Sequence, residues 1–154
     1  MNFVEGYSHR NGKIEWEKKE LDEWITDVFN APAIAIESHS TDAIRDHVRS
    51  ELTQQGWSGE VPIAPHFTAV TVFSLKDDLA VQIQTGNVSR AFYDLLKLQY
   101  LFNRNRIEAA ALAVPSKTAA QRLGSNIANF ERICGELQLY DRIITVPILV
   151  IAFE

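Results

Sequence analysis

The order of segments between residues 79 and 115 constrains the fold of this chain more than any other sequence feature. Residues 79–85 alternate between apolar and polar side chains, as a strand does. A break at Gly86-Asn87 precedes an amphipathic helix over residues 89–103, and a strand of small apolar residues follows over 107–114. A strand, a helix and a strand in this order predict a crossover connection, because parallel strands cannot be joined by a tight turn. The chain is therefore expected to be an α/β protein with a partly parallel sheet.

A β-hairpin is predicted immediately before the crossover helix. Residues 67–73 are rich in β-branched and aromatic side chains, which favours a strand, and residues 74–78 are typical of a turn. The second hairpin strand is then 79–85. Because side chains alternate along a strand, Gln82 and Gln84 are expected to share one face. The two glutamines either form part of a functional site or simply lie on the solvent-exposed face of a half-buried strand.

The rest of the chain is predicted to be mostly helical, with one further strand. Two helices are expected within residues 1–55, which are treated as a helical part. The first carries an apolar face and ends before Pro32, and the second begins at Ser40 or Thr41 and ends at Gly56. Helices are also expected at 117–123 and around 127–137, and a last strand at 143–153, bent or edged at Pro147. No repeat or linker interrupts residues 1–154, which predicts a single domain.

Composition and charge restrict the possible classes of protein. At 46% hydrophobic and 23% charged residues, wholesale disorder is excluded. Fifteen Lys and Arg against twenty Asp and Glu give a net charge of −5. This charge argues against non-specific binding of nucleic acid, but it allows a protein that binds a specific sequence. The single Cys134 suits a reducing compartment, so a cytoplasmic location is expected. No segment approaches the roughly 20 apolar residues that a membrane span requires.

The usual signatures of enzymatic chemistry are absent from the sequence. The glycines form no dinucleotide-binding or phosphate-binding loop. The histidines show no metal-ligand spacing: His9, His39, His47 and His66. Cys134 follows Ile133 on an apolar helix face, where a small buried hydrophobe is the simpler interpretation.

The hairpin and the segment after it resemble a known family. The run Gln82-Ile83-Gln84-Thr85-Gly86-Asn87-Val88-Ser89 resembles the Glu-x-Glu-Thr-Gly-Asn-x-Ser pattern of the BamHI and BglII group of type II restriction endonucleases, within the PD-(D/E)XK nuclease superfamily. The similarity extends from about Gly56 through Pro115 and Leu123 to Asn129-Phe130-Glu131. It implies a restriction-endonuclease-like mixed β-sheet with a β-hairpin core flanked by helices, so that residues 56–154 form a nuclease-like core.

The same resemblance implies a metal site that this chain has altered. In the family, an acid at the start of the first hairpin strand and acidic, Lys or Gln residues on the second hold Mg²⁺. The matching positions here are His66, Gln82 and Gln84. An amide lacks the full charge of a carboxylate, and Mg²⁺ does not favour a histidine nitrogen. No metal ligand is therefore predicted, and Mg²⁺ is expected only if the protein is active, with Glu60 or Asp78 as substitute ligands.

The resemblance also implies a nucleic-acid partner. Asn87, Ser89 and Arg90 match the DNA-facing turn and helix start of the family, and a helix N-terminus suits phosphate. Lys97 and Arg104 follow Arg90 at seven-residue spacing and are expected on one flank of the helix, as a DNA contact or a solvated face. Double-stranded DNA and a homodimer are the implied partners.

Three functions are compatible with these residues. The first is a DNA-binding pseudonuclease with a degenerate metal site. The second is a divergent, active Mg²⁺-dependent DNA endonuclease, and the third is a protein-interaction scaffold that binds no DNA. Engineered inactivation of a Glu-x-Glu enzyme would also produce Gln82 and Gln84, but His66 argues against it, because a designer would seldom replace three ligands.

Overall fold

A computed structural model describes all residues from Met1 to Glu154. Seven strands and six helices occur in the following order: β1 (Phe3–His9), α1 (Gly12–Glu17), α2 (Asp22–Asp27), α3 (Thr41–Gln54), β2 (Val61–Ala64), β3 (Phe67–Val72), β4 (Ser74–Lys76), β5 (Leu79–Ile83), α4 (Val88–Asn103), β6 (Ala109–Pro115), α5 (Lys117–Leu123), α6 (Phe130–Leu139) and β7 (Ile148–Phe153).

A five-stranded mixed sheet with strand order β1-β7-β6-β5-β4 forms the centre of the structure. The strands β5, β6 and β7 are parallel, whereas β4 and β1 pair antiparallel at the two edges. Helix α4 joins β5 to β6 and makes the crossover that the sequence predicts. The expected α/β class with a partly parallel sheet is confirmed.

Helices cover both faces of this sheet. Leu79, Val81 and Ile83 of β5 pack in one apolar cluster with side chains from α1, α2, α3 and α5. Ala80 belongs to the opposite cluster, to which α4 and α6 contribute. The alanine-rich β6 is buried along its whole length, and its small side chains let helices approach from both sides.

The N-terminal part differs from the helical segment that was expected. Helices α2 and α3 are present, and Ile44, Val48 and Leu52 form the buried face of α3 as predicted. No sequence pattern indicated β1, which pairs with β7 at the sheet edge. Most of its side chains are at least partly exposed, so β1 is held by backbone pairing and shows little apolar pattern.

The hairpin is shorter than predicted, and its first strand is a different segment. Residues Ser74–Lys76, expected to be a turn, form β4 and pair with β5. The segment predicted as the first hairpin strand becomes β3, which pairs with β2 in a separate two-stranded sheet. The chain bends at Phe73, whose N–H is bonded to the Gln82 side chain, and this bend separates the two pairings.

Candidate functional site

Gln82 and Gln84 lie on the same side at the carboxyl end of β5, as the alternation predicts. They are only 6% and 7% exposed. The interpretation of the pair as the wet face of a half-exposed strand is therefore wrong. A buried side-chain amide needs hydrogen-bond partners, because an unsatisfied polar group is costly away from water.

Both amides find the same partner in α4. Gln82 Nε2 donates to Asp94 Oδ1 at 2.9 Å, and Gln84 Nε2 donates to Asp94 Oδ2 at 2.6 Å. Asp94 is 4% exposed, so each of its carboxylate oxygens is engaged inside the protein. The two glutamines and this aspartate thus form one hydrogen-bonded group between β5 and α4.

The orientation of both amides is fixed from two sides. A carboxylate only accepts hydrogen bonds, so the amide nitrogens must face Asp94. The amide oxygens in turn accept backbone N–H groups, Gln82 Oε1 from Phe73 at 3.0 Å and Gln84 Oε1 from Gly86 at 2.7 Å. A flip of either amide would break two hydrogen bonds. Neither oxygen is therefore free to leave its N–H donor without cost.

A lysine completes the group. Lys97 Nζ lies 2.6 Å from Asp94 Oδ1 and donates to the Thr71 carbonyl at 2.9 Å. Its side chain is 11% exposed, so this is a nearly buried ion pair one helical turn apart on α4. We name Gln82, Gln84, Asp94 and Lys97 the Gln-Asp-Lys cluster.

Sequence reasoning missed Asp94 and misplaced Lys97. Asp94 stands three residues after Ala91 and four before Leu98, on the buried face of α4, and a lone acid on an apolar face was the available signal. Lys97 was expected beside Arg104 on an exposed flank. Arg104 is exposed and stacks on Tyr100, whereas Lys97 turns into the cluster.

An open cavity of about 480 Å³ lies over the Gln-Asp-Lys cluster. Besides the cluster it is lined by two arginines, Arg45 of α3 and Arg90 of α4, and by the carboxylate of Glu60. Arg45 also lies 4.9 Å from the centre of the Phe73 ring, which holds its guanidinium beside the end of β5. The cavity lining thus carries three basic and two acidic side chains.

The two acids considered as substitute ligands differ in position. Glu60 lines the cavity, accepts a hydrogen bond from Thr71 Oγ1 at 3.0 Å and lies 3.9 Å from Arg45. Asp78 does not line it and instead pairs with Lys19 at 2.5 Å. Burial works to raise the pKa of Asp78, but the Lys19 ammonium, a hydrogen bond with Glu108 and a backbone hydrogen bond together lower the pKa.

His66 is not brought to the cavity. It lies exposed in the turn between β2 and β3 and does not line the cavity with Gln82 and Gln84. The strand that pairs with β5 in the hairpin is β4, which begins at Ser74. His66 is kept away from Gln82 and Gln84 because β3, which follows it, pairs with β2 outside the central sheet.

Asn87, Ser89 and Arg90 form the start of α4, as the sequence indicated. Asn87 Oδ1 accepts the Ser89 N–H at 2.9 Å and also the Ser89 hydroxyl, so this pair caps the helix. Arg90 is exposed and lines the cavity. Of the three residues, Arg90 therefore has a charged side chain beside the Gln-Asp-Lys cluster.

The residues of this cavity do not fit a Mg²⁺ ion. Mg²⁺ needs hard oxygen ligands in octahedral geometry, usually with one or two free carboxylates. The Asp94 carboxylate already binds two amides and an ammonium, and both glutamine oxygens accept backbone N–H groups. Nowhere in residues 1–154 do three or more His, Cys, Asp or Glu side chains form a group that could hold a metal ion.

The fold defined by this sheet and its helices is that of a type II restriction endonuclease. The crystal structure of restriction endonuclease BglII with a DNA 16-mer matches it with a TM-score of 0.82 at 12% identity, over 100% of this chain and 78% of BglII. Free BglII matches with a TM-score of 0.72 at 15% identity, over 100% and 80% of the two chains.

The sequence itself identifies the family. The model of the restriction endonuclease BglII/BglIII family matches residues 4–153, and the chain belongs to that family. The match includes the N-terminal third, whereas the resemblance seen in the sequence begins only at about Gly56. No protein of curated function matches the chain significantly by sequence. No helix in the structure has both the length and the apolar character needed to cross a membrane.

Proposed function

We propose that this protein binds double-stranded DNA through the face that carries the cavity and does not cleave it. The observation that carries the proposal is the double hydrogen bond from Gln82 and Gln84 to Asp94. Cleavage in this family depends on a metal that activates water and stabilises charge on the phosphate. Gln82 and Gln84 are two of the positions at which the resemblance implies metal ligands, and their amides are engaged by Asp94 and by backbone N–H groups.

Binding to DNA is supported by the family and by the charges around the cavity. BglII has been solved with a DNA 16-mer. In this chain Arg45 and Arg90 line the cavity, and α4 begins beside it with a capped N-terminus, which suits phosphate contacts. The net charge of −5 allows such a face when the acids lie elsewhere. A homodimer, with each copy contacting half of a palindromic site, is part of this proposal. A cytoplasmic location stays a prediction from the single cysteine.

An active endonuclease is the second candidate, and one observation favours it. Glu60 lines the cavity together with Asp94, so two carboxylates are present near the ends of β5 and α4. Phosphodiester hydrolysis would then require a divalent ion to displace Lys97 and both glutamine amides from Asp94.

The deciding experiment combines DNA binding with a cleavage assay on one preparation. We expect a labelled pool of random-sequence duplexes to shift, and the shift to weaken steeply with salt because phosphate contacts release counterions. Plasmid DNA is expected to stay intact with Mg²⁺ or Mn²⁺. Cleavage of the plasmid would contradict the proposal and favour the active endonuclease. If the labelled duplexes do not shift, a protein-interaction scaffold that binds no DNA is favoured.

Matched variants locate the DNA-binding face. The substitution Arg90→Ala is expected to weaken binding, since it removes an exposed cation that lines the cavity. Arg122→Ala removes an equal charge from the last turn of α5, outside this cavity, and is expected to change binding little. Equal losses in the two variants would mean that DNA does not bind at the cavity.

A further inference from the structure

The Lys97 ammonium lies between two acceptor oxygens of the protein and a cavity that carries two arginines. On one side it contacts Asp94 Oδ1 and the Thr71 carbonyl. On the other side it lines the cavity together with Arg45 and Arg90. An ammonium has three N–H donors, and Asp94 and Thr71 engage two of them. The third donor has no hydrogen-bond acceptor in the protein, with the Tyr93 ring centre 5.6 Å from Nζ, and is available to a group that enters the cavity.

The charges of the cavity favour an anion once Asp94 is neutralised. Lys97 balances Asp94, and because their side chains are only 11% and 5% exposed, solvent screens this ion pair weakly. Arg45 lies 3.9 Å from Glu60, and Arg90 has no ion-pair partner in the structure. The lining therefore carries one positive charge more than it carries negative charges.

We infer that the Lys97 ammonium acts as a built-in cation, holding Asp94 and presenting a donor to a DNA phosphate, so that DNA binding needs no divalent metal. This inference rests on the proposed function. A phosphate is the DNA group that matches an ammonium and an arginine in one cavity. Lys97 thus supplies a positive charge beside the carboxylate, although it cannot activate a water molecule as a metal does.

The test is the affinity for labelled random-sequence duplexes, measured by fluorescence anisotropy in EDTA and in Mg²⁺ at equal ionic strength. Wild-type protein is expected to bind equally in both buffers. The variant Lys97→Met is expected to bind about tenfold more weakly in EDTA, as the loss of a charge-assisted hydrogen bond implies. Mg²⁺ is expected to restore part of that loss, because the Asp94 carboxylate then lacks its neutralising ammonium and attracts the ion.

Two further variants keep the test decisive. Lys18→Met removes the same charge from an exposed ion pair with Glu15 and is expected to have little effect. Because K97M leaves a buried carboxylate without its cation, the double variant D94N/K97M removes both charges and keeps one amide oxygen at position 94 as an acceptor for the glutamine amides. It is expected to bind as weakly as K97M in EDTA and to gain nothing from Mg²⁺, since no carboxylate is left at this position.

The outcomes separate the inference from the function on which it rests. Absence of wild-type binding in both buffers overturns the proposed function, and the inference with it. Wild-type binding that requires Mg²⁺ overturns the inference alone. The inference is also overturned if K97M binds DNA in EDTA as tightly as the wild-type protein. If K97M does not fold, the same result for D94N/K97M overturns it.

Discussion

The amide nitrogen of Gln84 lies 2.6 Å from a carboxylate oxygen of Asp94, ten residues further along the chain. This hydrogen bond ties the end of β5 to the second turn of the crossover helix α4. Gln82 repeats the contact at 2.9 Å with the other carboxylate oxygen. The alternating strand and the buried face of the helix thus meet through three polar side chains where apolar packing is the usual contact.

Replacing Asp94 by alanine is expected to destabilise the protein strongly. The substitution leaves two buried amides and the Lys97 ammonium without their acceptor, and breaking a buried pair costs about 3–5 kcal/mol. Chemical denaturation measures the loss. The control is Asp46→Ala, which removes an exposed partner of Arg49 and is expected to cost less than about 1 kcal/mol. Similar losses for both variants would show that the cluster contributes little to stability.

Replacing both glutamines by glutamate is expected to make stability depend on divalent metal. The double variant puts two carboxylates beside Asp94 where two N–H donors stood, so without metal it is expected to lose about 3–5 kcal/mol of unfolding free energy. Mg²⁺ or Mn²⁺ should raise its melting temperature, because three carboxylates provide hard oxygen ligands and binding stabilises the folded state.

The control for this variant is Gln99→Glu on the same helix. Gln99 is 8% exposed and bonds to Thr145 and Val146, away from the Gln-Asp-Lys cluster. The Gln99→Glu variant is expected to be less stable than the wild-type protein, and its melting temperature is expected not to change with metal. A melting temperature of the Q82E/Q84E variant that does not change with metal would contradict the expectation.

Gly12 is expected to tolerate no side chain. A Cβ at this position would lie 2.1 Å from the carbonyl carbon of Ile148, so the start of α1 touches the backbone of β7 directly. We expect Gly12→Ala to cost about 3 kcal/mol or more, since neither backbone can shift freely. Gly135→Ala in α6 meets no atom within 4 Å and is expected to stabilise by about 0.5–1 kcal/mol. Thermal melts of the two variants should therefore shift in opposite directions.

Cys134 is expected to be unreactive in the folded protein. Burial raises the pKa of its thiol to about 12, and the nearby carboxylates of Glu5 and Glu131 add to the effect. Because the thiolate is the nucleophile, iodoacetamide should modify the native protein slowly at neutral pH and the denatured protein faster. Rapid modification of the native protein would contradict the raised pKa.

The same shift sets a pH dependence of stability. The pKa of the Cys134 thiol in the folded protein lies above its ordinary value of 9.0. The stability that the protonated thiol contributes is therefore complete below pH 9.0 and decreases as the pH rises toward about 12. Cys134→Ser should show a weaker decrease over that range. Denaturation curves of the two proteins at several alkaline pH values measure the difference.

Much of the fold could be predicted because the patterns concerned are local. The alternation of Val81, Gln82, Ile83 and Gln84 assigned the faces of β5 correctly, and α5 covers the predicted residues 117–123. The crossover followed from a strand, a helix and a strand in sequence. The pairing of residues 67–73 was predicted wrongly, because adjacent β-rich segments pair by default and the bend at Phe73 has no clear sequence signal.

The strand β1 shows another limit of pattern reasoning. Its backbone pairs with β7 from Phe3 to His9, although its side chains show no regular alternation of apolar residues. Hydrogen bonds of the main chain are independent of side-chain identity, so an edge strand that buries little apolar surface leaves little trace in sequence.

The candidate site divides in the same way. The sequence by itself determined that Gln82 and Gln84 share a face, that α4 begins after Asn87, and that positions 82 and 84 carry amides and not carboxylates. The tertiary structure decided which residues join them: it brought Asp94 and Lys97 to the glutamines, placed Glu60 and two arginines around the cavity, and left His66 outside. The reason is physical, since a strand period and a helix period fix directions within each element, whereas contacts between elements depend on how the crossover closes onto the sheet.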